Sequence, residues 1–173
     1  MTPSSTALLV IDLQNDFCAE DGFLARSRAA TTGPKVQQND NVRVADRIGA
    51  LAAGMRAAGA PVVWLRSHYD FKYLAPAHIA QRKGKEGLCL EGSWGADFFR
   101  QRPAPDELVI DKHTYSGFHG TVLHERLQER GIRTLLVTGV ATNVCIDSTL
   151  REGFFLGYHI VIPEDCVGSS NRS

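Results

Sequence analysis

Five short apolar runs recur along this chain: Ala7–Ile11 (ALLVI), Pro61–Leu65 (PVVWL), Glu107–Ile110 (ELVI), Thr134–Thr138 (TLLVT) and Tyr158–Ile162 (YHIVI). Each is about the length of a strand and is flanked by polar or turn-forming residues. Continuous rather than alternating apolarity is what a strand buried on both faces shows. Between the runs lie stretches with helical spacing. Asn41–Ala58 carries Val44, Ile48, Leu51 and Met55 and stops at Gly59; Thr121–Glu129 is closed by Gly131; Val144–Phe155 forms the third. Strands alternating with helices imply parallel pairing, since parallel neighbours need a crossover. Right-handed crossovers then give an α/β, three-layer α-β-α, doubly wound parallel sheet of Rossmann-like layout. At 173 residues and 43% hydrophobic content, one domain spanning 1–173 can bury its own core. Two stretches carry no clear pattern, Gln14–Pro34 and Ser67–Arg102, the second holding Gly84, Gly87, Gly92 and Gly95. Loops of that length are expected to serve as lids or pocket walls.

Charge narrows the function classes. Lys plus Arg and Asp plus Glu are both 19, with no basic block. Neither a nucleic acid nor a membrane is therefore expected as partner. No apolar run approaches the ~18 residues of a membrane span. The start, MTPSSTALLVIDLQ, lacks the basic region of a signal peptide. Cys18, Cys89, Cys145 and Cys166 are scattered and form no C-x-x-C pair, which points to free thiols and a cytoplasmic setting.

Three of the expected strands lead into chemically useful residues: Asp12, Lys112 and Cys145. In a parallel sheet these ends share one edge, the edge where open α/β sheets bind ligands. A thiol needs a base to become a nucleophile, and a carboxylate can serve. A lysine ammonium stabilises both anions. Cys145 also falls where a helix should begin, and a helix N-terminus is expected to lower a thiol's pKa. Taken singly, each residue has a plain alternative: a strand-ending Asp12, a surface Lys112, a small buried Cys145.

The motifs carrying these residues resemble those of the isochorismatase-like cysteine hydrolase superfamily. Asp12 lies in DLQNDF, Lys112 in KHTYSGF and Cys145 in GVATNVC, in that order, and the likeness runs from about Ala7 to Cys166. The resemblance implies a catalytic triad of Asp12, Lys112 and Cys145. It also implies a cis peptide between Val140 and Ala141, with the backbone N–H groups of Ala141 and Cys145 forming an oxyanion hole. The reaction implied is hydrolysis of a C–N bond through a thioester, without a cofactor. Within the superfamily the similarity is greatest to ureidoacrylate amidohydrolase and biuret hydrolase, through KGKEGLCLEGSW, KHTYSGF and ATNVCIDSTLREGFFLGY, so a small amide, ureide or carbamoyl substrate releasing ammonia is expected. His113 and His119 depart from that pattern.

Nicotinamidase-type members bind a metal through an Asp-x-His element after the second strand. Here Ser67 and Tyr69 stand in those places, while His68, Asp70 and His78 have the wrong spacing, so no metal is expected. Asn15, Phe17, Trp64, Tyr115 and Phe118 are candidate pocket residues by position, although Trp64 and Phe118 suit a core equally well. Family members commonly continue past the fifth strand with a helix and a sixth strand, and form dimers or tetramers. This chain stops at Ser173 without the usual C-terminal helix and strand, so either it is truncated or a neighbouring subunit covers the gap, and the family habit implies a homo-oligomer. Three other readings stay open: a nicotinamidase-type amidase, a non-catalytic binding or assembly member, and a redox sensor built on Cys145.

Overall fold

The computed structural model describes residues 2–32, 41–83 and 85–169. Six parallel strands form one sheet: β1 (Thr6–Ile11), β2 (Val62–Ser67), β3 (Leu108–Lys112), β4 (Thr134–Val140), β5 (His159–Val161) and β6 (Val167–Gly168). Their order is β3-β2-β1-β4-β5, with β6 pairing the far end of β4. This is the doubly wound α/β layout expected from the apolar runs. β1 lies at the centre and is buried along its whole length. Its alternate residues face opposite layers. Ala7, Leu9 and Ile11 pack with Leu123, Leu127 and Ile146; Leu8 and Val10 pack with Val44, Ala45 and Ile48. Burial of both faces is why the run reads as uniformly apolar.

The helices are α1 (Asn15–Cys18), α2 (Phe23–Thr32), α3 (Asn41–Ala57), α4 (Pro76–Gln81), α5 (Leu123–Glu129) and α6 (Asp147–Phe155). α3 and α5 fall where helical spacing places them. The stretch read as a loop from Gln14 instead holds α1 and α2; its end at Pro34 lies outside the described residues. α2 escaped notice because FLARSRAATT has no strong apolar stripe. The stretch from Ser67 to Arg102 holds α4 and two short 3₁₀ turns. Together with α1 and α2 it builds a small third apolar cluster, centred on Tyr69, Leu74, Leu88 and Cys89.

After β3 the chain returns across the sheet to β4 on the other side of β1. The carboxyl ends of β1 and β4 are therefore neighbours leading opposite ways, the crevice where such sheets bind ligands. Close approach there depends on Gly139, at φ +115°, where a Cβ would stand 1.9 Å from the carbonyl oxygen of Ile11. No helix among the described residues is long and apolar enough to cross a membrane.

Candidate active site

Four strand ends and the turns after them build the site. Asp12 follows β1 in a left-handed conformation, φ +52°, which a short polar side chain tolerates better than most. Ser67 ends β2 and Lys112 ends β3. Beyond β4 the Val140–Ala141 peptide is cis. A π-helical turn, Thr142–Ile146, then carries Cys145 into α6. The sequence pattern placed one helix over Val144–Phe155; the regular helix begins only at Asp147. The wider turn is set by the Ala141 carbonyl, which accepts from both Val144 N and Ile146 N at 3.1 and 3.2 Å.

Asp12, Lys112 and Cys145 are all buried. Lys112 Nζ stands 2.8 Å from Asp12 Oδ2, donates to Ser67 Oγ at 2.8 Å and donates to the Thr114 carbonyl at 3.1 Å. All three ammonium positions are thus used, as a fully buried cation requires. Ser67 Oγ donates to Asp12 Oδ1 at 2.8 Å and lies 3.0 Å from the Tyr69 hydroxyl. Asp12 is thereby held through both oxygens, Oδ1 by the Ser67 hydroxyl and Oδ2 by the ammonium. Ser67 and Tyr69 are therefore part of this network, a role that sequence reasoning did not assign. The strand-end rule that singled out Asp12 and Lys112 also marks Ser67.

The thiol of Cys145 does not have the lowered pKa expected at a helix start. Burial, followed by the Asp12 charge, pushes it up to about 12; the Lys112 ammonium and a hydrogen bond from Tyr69 pull the other way. A helix end contributes roughly 1 kcal/mol, too little to offset burying an anion beside a carboxylate. Burial alone would lower the pKa of Lys112, but the charge of Asp12, with Tyr69 and Cys145, holds it above its ordinary value. Burial likewise raises that of Tyr69.

A cavity of about 360 Å³ opens on this cluster, lined by Asp12, Tyr69, Ala141 and Cys145, with Phe17 and Tyr115. Three expected pocket residues lie outside that lining. Asn15 donates to the Trp94 carbonyl at 2.8 Å and ties α1 to the 3₁₀ turn there. Trp64 is fully buried in the core and donates to Glu107 Oε2 at 2.8 Å. Phe118 stacks on Tyr158 in the opposite layer. In both aromatic cases the core reading prevails.

The rest of DLQNDF is scaffolding. Gln14 donates to the carbonyls of Ser67 and Ala96 and accepts from Ser67 N, which locks the end of β2 to that of β1. Asp16 accepts from Phe23 N at 3.0 Å and Cys89 N at 2.8 Å. Among the described residues one group brings metal-ligand atoms together, His68, Asp70 and Glu91, within 4.8 Å. Lys72 Nζ lies 2.7 Å from Glu91 Oε2 and Asp70 Oδ2 accepts from Glu91 N, while His68 is buried.

A doubly wound parallel sheet with a buried carboxylate, ammonium and thiol at its switch point is an α/β enzyme fold with a candidate thiol nucleophile. An isochorismatase-domain profile matches residues 6–173, and the chain belongs to that family. It is 36% identical to ureidoacrylate amidohydrolase RutB of Pantoea ananatis, covering 96% of this chain and 70% of that protein. The same enzyme of Cronobacter turicensis is 35% identical, over 95% and 75%. Among solved structures, a cysteine hydrolase from Pseudomonas syringae superposes with a TM-score of 0.84 at 26% identity, covering 98% and 75% of the two chains. N-carbamoylsarcosine amidase from Thermoplasma acidophilum gives 0.76 at 26% identity, covering 98% and 85%.

Proposed function

We propose that this chain is a cysteine-dependent amidohydrolase that cleaves a C–N bond of a small ureide or carbamoyl compound and releases ammonia. The observation that carries the reading is that Asp12 and Cys145, which follow separate strands, line one cavity, with Lys112 Nζ 2.8 Å from Asp12 Oδ2. The similarity to ureidoacrylate amidohydrolases supports the ureide class.

In this mechanism Asp12 takes the Cys145 proton as the sulfur attacks the carbonyl carbon. The backbone N–H groups of Ala141 and Cys145 hold the oxyanion. Asp12 returns the proton to the departing nitrogen, which leaves as ammonia, and a carbamoyl thioester remains on the sulfur. Water, deprotonated by Asp12, then attacks the thioester; the sulfur leaves and regains its proton, and a carbamate departs and loses carbon dioxide. Lys112, its pKa held above the ordinary value, stays protonated throughout and sits 2.8 Å from Asp12 Oδ2.

The redox-sensor alternative fits less well, because a sensor thiol is exposed and of low pKa, whereas Cys145 is buried with its pKa pushed up. The test is ammonia release from ureides, biuret, N-carbamoyl amino acids and nicotinamide, by wild type and by Cys145→Ala. Release from a ureide that disappears in Cys145→Ala is expected. Turnover retained by the variant would overturn the cysteine mechanism.

A further inference from the structure

The extended chain at the end of β2 presents two faces. Ser67 and Tyr69 turn toward Asp12 and Lys112 and belong to the network of the site. His68 turns the other way, as alternate residues of an extended chain do. It lies beside Asp111, whose carboxylate Arg66 already holds at 2.8 Å. His68 is 5% exposed, and its Nε2 stands 3.8 Å from Asp111 Oδ1, too far for a hydrogen bond. Among the described residues no group hydrogen-bonds that nitrogen. A buried ring nitrogen without a partner costs stability unless a ligand takes it. One ring nitrogen of His68 and one carboxylate oxygen each from Asp70 and Glu91 lie within 4.8 Å of one another. Burial lowers the pKa of His68, which keeps its ring neutral near pH 7, the form that binds metals.

The imidazole is anchored through its own backbone. His68 N donates to the Lys112 carbonyl at 3.0 Å, and the His68 carbonyl accepts from His113 Nδ1 at 2.8 Å. The two carboxylates come from chain segments that are already tied together. Tyr69 N donates to the Cys89 carbonyl at 3.2 Å, and Glu91 N donates to Asp70 Oδ2 at 2.9 Å. Asp70 is partly exposed and Glu91 exposed. Rotamer changes there can bring the oxygens to the ~3–4 Å spacing that ligands at ~2.1 Å from one ion require. Lys72 Nζ, 2.7 Å from Glu91 Oε2, is the rival cation, an exposed charge on a flexible stem.

We propose that His68, Asp70 and Glu91 bind one divalent transition-metal ion, apart from the catalytic cluster, and that this ion clips together the two ends of the stretch 71–90. One imidazole with two carboxylates suits Zn²⁺ better than Mg²⁺ or Ca²⁺, which favour oxygen ligands alone. The clipped stretch supplies Arg82, Lys85 and Leu88 to the cavity wall. Closing a long loop is where such a clip gains most, so the ion steadies that wall from behind. Ser67 and Tyr69, which stand where a nicotinamidase-type metal would be held, take no part in it.

The experiment is equilibrium dialysis of the full chain against Zn²⁺, with the bound metal measured by elemental analysis. The chain carries Cys145→Ala, so that the thiol of the catalytic cluster contributes nothing. One ion per chain is expected. His68→Gln, Asp70→Asn and Glu91→Gln should each weaken it at least about tenfold, since losing an outer partner alone costs that much. Asp70→Asn keeps an acceptor for Glu91 N, so it tests the site even if the buried His68→Gln fails to fold. Lys72→Gln, an exposed change, should tighten Zn²⁺ about threefold by removing the rival charge; a purely structural role for Glu91 gives no such gain. Mg²⁺ should bind at least about 100-fold more weakly. Zn²⁺ at about 100 times its Kd should raise the melting temperature by about 5–10 °C and slow tryptic cleavage after Lys83 and Lys85. No stoichiometric uptake, or equal affinity for Mg²⁺, overturns the site. Uptake unchanged by both Asp70→Asn and Glu91→Gln does so too, as it places the ion elsewhere on the chain. None of these readouts needs turnover, so their failure leaves the hydrolase reading untouched.

Discussion

Gly139 sits where the fold and the site depend on the same few atoms, so Gly139→Ala is a sharp test of both. Its φ of +115° lies in a region that costs an L-residue roughly 1–2 kcal/mol. The new Cβ would also stand 1.9 Å from the Ile11 carbonyl oxygen and 2.7 Å from Ile11 N. Both contacts are backbone, so no side chain can swing away; overpacking of this kind costs about 1–3 kcal/mol. Together the cost is about 2–5 kcal/mol. At about 2–4 °C per kcal/mol for a chain of this size, the melting temperature should fall by about 4–20 °C. Relief requires β4 to move away from β1, and this separates Cys145 from Asp12, the residue after Ile11. Activity should therefore fall further than the unfolded fraction alone explains. Gly54→Ala is the control: it lies inside α3 with nothing within 4 Å of the added carbon. It should gain about 1 kcal/mol from helix propensity. Thermal melts by circular dichroism, paired with ammonia release at a temperature where both variants are folded, check this. A Gly139→Ala protein melting within about 2 °C of wild type would refute the close-approach argument.

Trp64→Phe removes the part-buried indole bond to Glu107 and should cost about 2 kcal/mol in a urea titration with KM unchanged. Asp16→Asn leaves one acceptor oxygen for two backbone donors, Phe23 N and Cys89 N, and orphans one of them. About 1–3 kcal/mol should be lost, and limited proteolysis should cut sooner between Lys83 and Glu91. Burial of the Cys145 thiol favours the folded state below the ordinary thiol value of 9.0, and this contribution is lost as pH rises from there through about 12. The urea midpoint should therefore drop less steeply between pH 8 and 11 in Cys145→Ala than in wild type.

The sheet was legible because doubly buried strands leave uninterrupted apolar runs, and the ends of those runs delivered Asp12 and Lys112 directly. Cys145 was legible by motif, but its acidity was not. A helix start can be read locally, whereas burial beside Asp12 arises from residues far apart in the chain. The same limit explains Asn15, Trp64 and Phe118. Asn15 does follow the end of β1 closely, but Trp64 lies inside β2, which runs on to Ser67, and which way each of the three side chains turns depends on partners such as Trp94, Glu107 and Tyr158 that no local pattern supplies. β6, at two residues, is too short to show any period at all. Ser67 and Tyr69 were seen only as replacements for absent metal ligands; their bonds to Asp12, Lys112 and Cys145 depend on β2 ending level with β1 and β3.

A thiol with a pKa raised to about 12 and a nucleophilic role are compatible, because they describe different proton transfers. Losing the proton to water places a second anion beside Asp12, with a single ammonium to serve both. Passing the proton to Asp12 keeps the charge of the group constant: one negative charge moves from oxygen to sulfur within the field of the same Lys112. The first process is costly and the second need not be. Asp12→Asn separates them. Without the carboxylate one cause of the raised pKa is gone, so Cys145 should react faster with iodoacetamide at pH 8 than it does in wild type. The same variant has no base to deprotonate the thiol during attack and no acid for the leaving nitrogen, so turnover should fall by at least about 100-fold. Peptide mapping of labelled Cys145 gives the first rate and ammonia release the second. If both rates fell together, Asp12 would be holding the site in place rather than handling its proton.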